Sequence, residues 1–397
     1  MISRFQPVVV FASGFFGSMF VAFSACAQIE LTRIDGSVSA VDVVAVEGSR
    51  ISYSGTDADL NDFRVIDFGR KTARNNGRTT IHLSGGGRIE AVKLGLVDDM
   101  IQFSYLAGEV NVGVEATTQI RFKNEKLPLF DNAASKEDLD QLFVKIEGNY
   151  QTVPGIVERI DDSAIRILYE EDVIEFKLQD VFGVIFAQGA TVQAFQRNAV
   201  VELTEGSRIV GKLQSMTSDT ATVWIDELAK INIPVLMISS IEVRSDRLVF
   251  LSDLEPASTA NLEGAILDRR WRKDVNIVGT ELSLRDRQNR TVRNYSKGLG
   301  TKSGMKLVFN NSNFDRFVSA IGIDAGTNGN GLCKVTVSGD GDVLYQVEVA
   351  GADAPRKLDL EISGKKEIEL RIDFGSDFLD LSDHLNWCDA RFVKNSK

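Results

Sequence analysis

Short stretches of alternating apolar and polar residues run through most of the chain, separated by turns rich in Gly, Asp and Asn. A period of two predicts half-buried β-strands. Between residues 29 and 243 the strands recur in four loosely similar units with a period of about 55 residues. The units begin at Ile29, Thr80, Val153 and Val200. Units of this size bury their apolar faces poorly alone, so we expect either four small SH3-like or Sm-like barrels in tandem, or two larger barrels of two units each.

A polar segment separates the second unit from the third. Ser135 followed three residues later by Asp138 resembles a capping box, and three apolar residues would follow on one helix face, Leu139, Leu142 and Phe143. We therefore predict a short helical lead-in to the third unit. The expected domains are a signal peptide at 1–27, units one and two at 28–128, units three and four at 129–247, and a β-sandwich at 248–397.

The first 27 residues have the form of a secretory signal peptide. Arg4 supplies the positive charge, an apolar stretch follows from residue 8 to residue 23, and Ala25-Cys-Ala27 gives a small-residue cleavage site before Gln28. The mature chain is thus expected to be secreted or periplasmic, without a transmembrane helix. The alternative is a lipoprotein acylated at Cys26, which the unusual Phe23 in the lipobox position disfavours.

Charge and composition narrow the function classes. The 397 residues carry a formal net charge of −11, which argues against nucleic-acid binding because such binding needs a basic stripe. Only two histidines are present, His82 and His384, so we expect no multi-histidine metal site. No G-x-S-x-G or H-E-x-x-H motif occurs, and the sequence predicts no enzyme.

From residue 248 the alternating segments become longer and their spacing is typical of a β-sandwich. The distinctive residues of this region are Trp271 and Asp274, the turn 295–300, Phe314-Asp-Arg-Phe317, Ile321-Gly-Ile-Asp324, the hairpin 337–345, the stretch 358–370, Asp383-His384 and Trp387–Arg391. Through these residues the region resembles the NPCBM domain, a family named for carbohydrate binding. The chain departs from the family at Lys302, where histidine is usual, and at Cys388, where alanine is usual.

The resemblance implies a galactose-binding-like jelly roll that binds glycans without catalysis. Sugar sites combine an aromatic face with planar polar groups, and one segment offers both: Asp383, His384, Trp387, Asp389 and Arg391. We predict a carbohydrate site there. The alternative is that Trp387 caps the sandwich, Arg391 pairs with Asp389 or Asp324, and His384 bonds a loop carbonyl.

Two further features of the C-terminal region have more than one interpretation. Cys333 and Cys388 alternate in phase with core residues, so both are expected to point inward. They would form a disulfide, which export permits, or remain buried free thiols. Three aspartates, Asp324, Asp340 and Asp342, would hold a structural calcium or serve only hairpin turns, and we expect no other cofactor.

Taken together, the sequence predicts an exported, non-catalytic bacterial protein. Its β-barrel repeats would carry a sandwich that binds a polysaccharide or a cell-surface glycan. The alternative is a structural scaffold of the cell envelope that binds partner proteins and no sugar.

Overall fold

The computed structural model describes residues 28–73, 79–105, 108–136, 138–187, 197–225, 229–262, 270–286 and 291–395. The signal peptide and Cys26 lie outside the described residues. The fold is all-β, as predicted, and consists of an N-terminal region of four repeats followed by a sandwich of two facing sheets.

The described residues of the four repeats form twenty-two strands. Repeat 1 has β1 (Ile29–Arg33), β2 (Val38–Val41), β3 (Val44–Glu47), β4 (Arg50–Tyr53), β5 (Thr56–Asp59) and β6 (Phe63–Asp67). Repeat 2 has β7 (Thr79–Leu83), β8 (Arg88–Ala91), β9 (Lys93–Val97), β10 (Met100–Tyr105), β11 (Gly108–Gly113) and β12 (Thr117–Arg121). Repeat 3 has β13 (Asp140–Ile146), β14 (Asn149–Ile160), β15 (Ala164–Tyr169), β16 (Asp172–Lys177) and β17 (Val181–Ile185). Repeat 4 has β18 (Ala199–Leu203), β19 (Arg208–Met216), β20 (Thr220–Trp224), β21 (Lys230–Pro234) and β22 (Ile238–Val243).

Each repeat ends in the same way, with a 3-10 turn and a last strand that pairs with the first strand. A three-residue 3-10 turn precedes the last strand, at Leu60–Asp62, Val114–Ala116, Leu178–Asp180 and Val235–Met237. The last strand then pairs antiparallel with the first strand of its own repeat, for example β6 with β1 and β22 with β18. The four-unit repetition read from the sequence is therefore present in the strand order.

The repeats do not close into separate barrels, and this corrects the expected architecture. The last strand of each repeat uses its second edge to pair with the last strand of another repeat: β6 pairs with β22, and β12 pairs with β17. Because these strands use their second edge for a partner in another repeat rather than in their own, no repeat closes into a barrel of its own within the described residues. Repeat 1 is joined to repeat 4 and repeat 2 to repeat 3, in one hydrogen-bonded network.

One apolar core runs through all four repeats. Leu31, Ile81, Leu142 and Val201, each from the first strand of its repeat, belong to the same fully buried cluster. Burial of these side chains is the main stabilising contribution here, at roughly 1.5–3 kcal/mol for each large aliphatic residue.

The predicted helical lead-in is wrong. The described residues contain one short α-helix, α1 (Pro128–Asp131), which lies before the predicted position. Leu142 and Phe143 instead lie on β13, whose first five residues are all buried. Leu142 packs in the shared core of the repeats, whereas Phe143 packs in a second cluster with Phe130 and Phe182. Because β13 is buried on both faces, its sequence loses alternation and imitates a helix face. This segment is the first strand of repeat 3.

Thirteen strands are found in the described part of the sandwich. They are β23 (Leu248–Phe250), β24 (Ser258–Asn261), β25 (Arg272–Lys273), β26 (Leu282–Asp286), β27 (Thr291–Tyr295), β28 (Gly298–Lys302), β29 (Met305–Asn310), β30 (Arg316–Ile323), β31 (Leu332–Gly339), β32 (Asp342–Ala350), β33 (Arg356–Glu361), β34 (Glu367–Phe374) and β35 (His384–Val393). Six of them form one sheet in the order β25-β28-β35-β30-β33, with β23 also paired to β35, and five form the facing sheet in the order β24-β29-β34-β31-β32. A separate hairpin, β26–β27, covers the outer face of the six-stranded sheet through Leu282 and Leu284, which pack beside Cys388.

Repeat 1 packs against the sandwich. Ile34 lies in a small apolar cluster with Val318, Val393 and Leu248. Polar contacts surround it, including an ion pair between Arg247 and Asp62. The two regions therefore share a mixed apolar and charged contact. None of the helices in the described part of the chain has the length and apolar character to cross a membrane.

Candidate functional site

The five predicted site residues lie on one element. His384, Trp387, Asp389 and Arg391 belong to β35, the central strand of the six-stranded sheet, and Asp383 immediately precedes it. They do not form one surface, however, because a strand sends alternate side chains to opposite faces.

Trp387 is a core residue. Its side chain is fully buried between the two sheets, where the ring lies 6.2 Å from that of Phe317. The indole Nε1 donates a hydrogen bond of 3.2 Å to Thr301 Oγ1, which satisfies its only polar group. No face of this ring is open to a sugar, so its placement does not support the predicted stacking role.

Asp383 is also buried and has a structural contact. One carboxylate oxygen accepts the backbone N–H of Leu332 at 2.8 Å, which ties the segment before β35 to β31. Burial raises the pKa of this carboxyl group above its ordinary value, against the opposing effect of the Leu332 hydrogen bond. His384 is half-buried and lies opposite Lys302 in the sheet.

Asp389 and Arg391 face repeat 1 rather than open solvent. Asp389 forms an ion pair with Arg64 at 3.0 Å, with less than a fifth of either side chain exposed. Arg391 donates from Nε to the carbonyl of Ile34 at 2.8 Å and from Nη1 to the carbonyl of Asp389 at 2.8 Å. Burial, reinforced by the charge of Arg64, lowers the pKa of Arg391 to about 10. The predicted pairing of Arg391 with a carboxylate is absent among the described residues.

The two cysteines do not form a disulfide. Both are free and buried. Cys333 points into the core between the sheets, whereas Cys388 lies on the outer face under the β26–β27 hairpin. A β-bulge at Asp389 and Ala390, opposite Ser319, breaks the alternation that the sequence prediction assumed. Cys388 is therefore on the opposite face from Ala390, out of bonding reach of Cys333.

The three aspartates considered for calcium are each used in hydrogen bonds or ion pairs. Asp340 accepts the backbone N–H groups of Lys366 and Glu367 at 2.9 Å, Asp342 pairs with Lys365 at 2.7 Å, and Asp324 accepts from Asn386 at 2.6 Å. Within the described residues, no three His, Cys, Asp or Glu side chains come together as a metal site.

Lys302, which replaces the usual family histidine, is buried and pairs with Asp380 at 2.6 Å. Breaking a buried pair of this kind leaves an uncompensated charge. The residue therefore anchors the segment before β35, and its ammonium group is already occupied.

An open cleft with sugar-site chemistry lies elsewhere, at the edge of the sandwich. Its volume is about 550 Å³, and its wall includes Trp271, Arg270, Lys273, Asn261 and Lys306. Its lining residues come from the edge strands β24 and β25 of the two sheets, from the two residues before β25, and from β29 beside β24. Such a cleft offers an aromatic surface surrounded by hydrogen-bond donors.

Trp271 is held in place in this cleft by both apolar and polar neighbours. The ring is partly buried against the sandwich core. Lys273 lies with its ammonium 5.6 Å from the ring centroid and pairs with Glu255 at 2.5 Å. The position of Trp271 at the wall of the cleft is therefore fixed by the core on one side and by Lys273 on the other.

Our sequence reasoning named Trp271 only as a family match and missed this cleft. A usable signal was present, because the run Arg270-Trp-Arg-Lys273 places a tryptophan among cations in a chain of net charge −11. The site was predicted at Trp387 because more polar residues surround it in the sequence. Whether a tryptophan on a strand is buried depends on the sheet that faces it, and the residue types of its own strand do not reveal that sheet.

Comparison with known families identifies the sandwich. Residues 247–393 match the NPCBM/NEW2 domain. The NPCBM resemblance read from the sequence is thereby confirmed for this region, which is the whole of the sandwich and none of the repeats. No curated protein matches the chain.

Among solved structures, the sequence and fold are similar to carbohydrate-binding modules of family CBM51. The second CBM51 module and INT domains of ZmpB from Clostridium perfringens, in complex with GlcNAc, are 24% identical, with a TM-score of 0.34 and coverage of 45% of this chain and 38% of that one. The match thus spans about two fifths of that relative's length. The CBM51 of GH95 from the same organism, in complex with methyl-galactose, is 24% identical with a TM-score of 0.33, covering 37% of this chain and 99% of that one. Tandem CBM51 modules of a family 98 glycoside hydrolase from Streptococcus pneumoniae are 16% identical with a TM-score of 0.33, covering 92% and 88%. All three TM-scores are below 0.5, so the likenesses carry no argument about how this chain works.

Proposed function

We propose that the protein binds carbohydrate, as a polysaccharide or a cell-surface glycan, through its NPCBM domain. The observation that carries the proposal is the family match over 247–393. We propose further that binding occurs without catalysis.

We place the glycan in the cleft beside Trp271 rather than along β35. Trp387 and Asp383 are buried and occupied by protein contacts, and reaching them would require opening the core. The cleft needs no such rearrangement. The ring of Trp271 offers C–H stacking, and Arg270 and Lys306 offer donors to sugar hydroxyls.

Affinity electrophoresis of the full chain in gels containing a panel of polysaccharides tests this proposal. We expect at least one polymer to retard the protein, and Trp271→Ala to remove most of the retardation. Loss of an aromatic ring costs about 1–3 kcal/mol where the ring stacks on a nucleic-acid base. A loss of that size here would weaken binding by about fivefold to a hundredfold.

Trp224→Ala is the matched control. Trp224 lies in repeat 4, outside the NPCBM domain. The ammonium of Lys230 lies 5.8 Å from its ring centroid, and that of Lys273 lies 5.6 Å from the ring centroid of Trp271. Retardation should survive this change. Equal loss in both variants, or no retardation by any polymer, would contradict the proposal.

We also propose export, on the basis of the charged start, apolar stretch and A-x-A site in residues 1–27. Determining the N-terminus of the mature protein tests this. A start at Gln28 supports secretion or a periplasmic location, and an acylated Cys26 supports the lipoprotein alternative.

A scaffold of the cell envelope remains the second candidate. The observation that favours it is the use of Asp389 and Arg391 in contacts with repeat 1. Under that view the repeats and the NPCBM domain act as one rigid body that binds envelope proteins. It predicts that no glycan retards the protein and that purification from cross-linked cells recovers specific protein partners.

A further inference from the structure

A second cavity lies where repeat 1 meets the outer face of the six-stranded sheet. Its volume is about 250 Å³. One wall is the β1–β2 turn around Asp35, and the others come from β27, β30, β33 and β35. The cavity thus exists only because the two regions are packed together.

The cations around this cavity are poorly compensated. Its carboxylates Asp389 and Asp359 are already paired with Arg64 and Arg316. In the described part of the chain, three other lining cations form no ion pair with a carboxylate: Arg293, Lys357 and Arg391. Asp35 is the one lining carboxylate outside these pairs, and it accepts hydrogen bonds from Ser37.

Arg391 is a buried cation whose charge no contacting carboxylate balances. Only 3% of its surface is exposed, and its guanidinium bonds backbone carbonyls, which carry no net charge. A buried cation that contacts no carboxylate is destabilising. An anion entering the cavity would remove that cost. A ligand is therefore favoured here by electrostatics even before it makes specific contacts.

The wall also has an aromatic element. Tyr295 is half-buried, and the guanidinium of Arg293 lies 5.0 Å from its ring centroid. The stacking holds Arg293 at the side of the cavity, with its donors directed by the ring rather than by a carboxylate. Planar guanidinium groups bind carboxylates through paired hydrogen bonds.

We propose that this interdomain cavity binds a carboxylated sugar, with the carboxylate held by Arg293, Lys357 and Arg391 and the sugar ring placed beside Tyr295. The inference rests on the proposed glycan binding of the protein and adds the ligand class, but it uses a different surface from the Trp271 cleft. It also gives repeat 1 a part in recognition, since Asp35 and its turn complete the cavity.

Isothermal titration calorimetry of the full chain tests the inference, with D-glucuronic acid as the probe and D-glucose and acetate as comparators. We expect glucuronic acid to bind at least tenfold more tightly than either comparator. Lys357→Gln and Arg293→Gln should each weaken that binding several-fold. Asp35→Asn should strengthen it, because the change removes a negative charge from the wall.

Lys334→Gln is the control variant, since Lys334 is exposed on β31 in the other sheet. It should leave the affinity unchanged. Equal binding of acetate or glucose, an equal effect of Lys334→Gln and Lys357→Gln, or no binding of glucuronic acid would each overturn the inference. If glucuronic acid fails to bind while a polysaccharide still retards the protein through Trp271, the inference alone fails and the proposed function stands.

Discussion

A single residue decides which side chains of β35 reach the core. Asp389 has a left-handed backbone with φ of 51° and forms the first residue of the bulge opposite Ser319. Before it, Leu385 and Trp387 point into the sandwich, and after it Ala390 and Phe392 do so. The extra residue turns Arg391 toward repeat 1. Strict alternation misses this, which is why the sequence reading misplaced Cys388.

His82 offers a test at the same scale. It lies on β7 between β8 and β12, partly buried, and burial together with Arg88 and Arg121 lowers its pKa to about 4. Because the folded pKa is below the unfolded value of 6.5, the unfolded chain takes up the proton first. The stability contribution of neutral His82 is complete above pH 6.5 and is lost as pH falls toward 4.

We expect His82→Gln to lose less stability than the parent between pH 7.5 and pH 5. After a discount for remaining solvent contact, the difference is about 1 kcal/mol at pH 5. Urea unfolding at the two pH values measures it. Both proteins contain the same carboxylates, so the contribution of carboxylates that titrate in this pH range cancels in the comparison. Parallel losses in both proteins would contradict the assignment.

At the scale of elements, the second strand of repeats 3 and 4 depends on a glycine. A Cβ built on Gly155 would lie 2.4 Å from the carbonyl oxygen of Leu168, and one on Gly211 would lie 2.2 Å from that of Trp224. The two glycines occupy corresponding places on the long strands β14 and β19, where each passes from one partner strand to the next. Close approach of two backbones at such a bend excludes a side chain.

Gly211→Ala should therefore destabilise the repeats by about 1–3 kcal/mol, because backbone or Val223 must move to admit the methyl group. Thermal unfolding followed by circular dichroism should show a Tm lower by several degrees. Gly95→Ala is the control, since its Cβ would have one neighbour at 3.4 Å, the carbonyl oxygen of Ile160. A similar Tm for Gly211→Ala and Gly95→Ala would contradict this account of the bend.

The sequence predicted the types of these elements better than their partners. Period-two alternation correctly indicated strands such as β1, β7 and β19, since it reports one buried face. It carried no information on pairing, because Ile66 is buried equally well beside a strand of its own repeat or beside β22. The helix prediction at β13 failed for a related reason, namely that burial on both faces removes the alternation. The Trp271 cleft was not predicted because it depends on edge strands of two different sheets lying near each other, and alternation carries no information on that.

For the whole molecule, the consequence is that repeat 1 and the NPCBM domain are joined by specific contacts rather than by a simple linker. The contact combines the Arg64–Asp389 pair, the hydrogen bond from Arg391 to Ile34, and the apolar cluster around Val318. Asp389 belongs to the family-like segment at the end of the domain. In this chain, the segment therefore serves the assembly of the two regions.

A double-mutant cycle on Arg64→Gln and Asp389→Asn measures how firmly the regions are joined. The two side chains are mostly buried and their atoms lie 3.0 Å apart, so we expect a coupling free energy of about 1–2 kcal/mol in unfolding experiments on the full chain. Either single change should cost more than that, because it leaves the other group buried and unpaired. The control is Arg166 with Glu175, a pair at 2.8 Å that is about half exposed and lies within repeat 3; its cycle should show no measurable coupling. If the Arg64–Asp389 cycle also shows none, the pair does not hold the regions together. The cavity around Asp35 would then lack a fixed wall, and the NPCBM domain would be free to bind its ligand independently of the repeats.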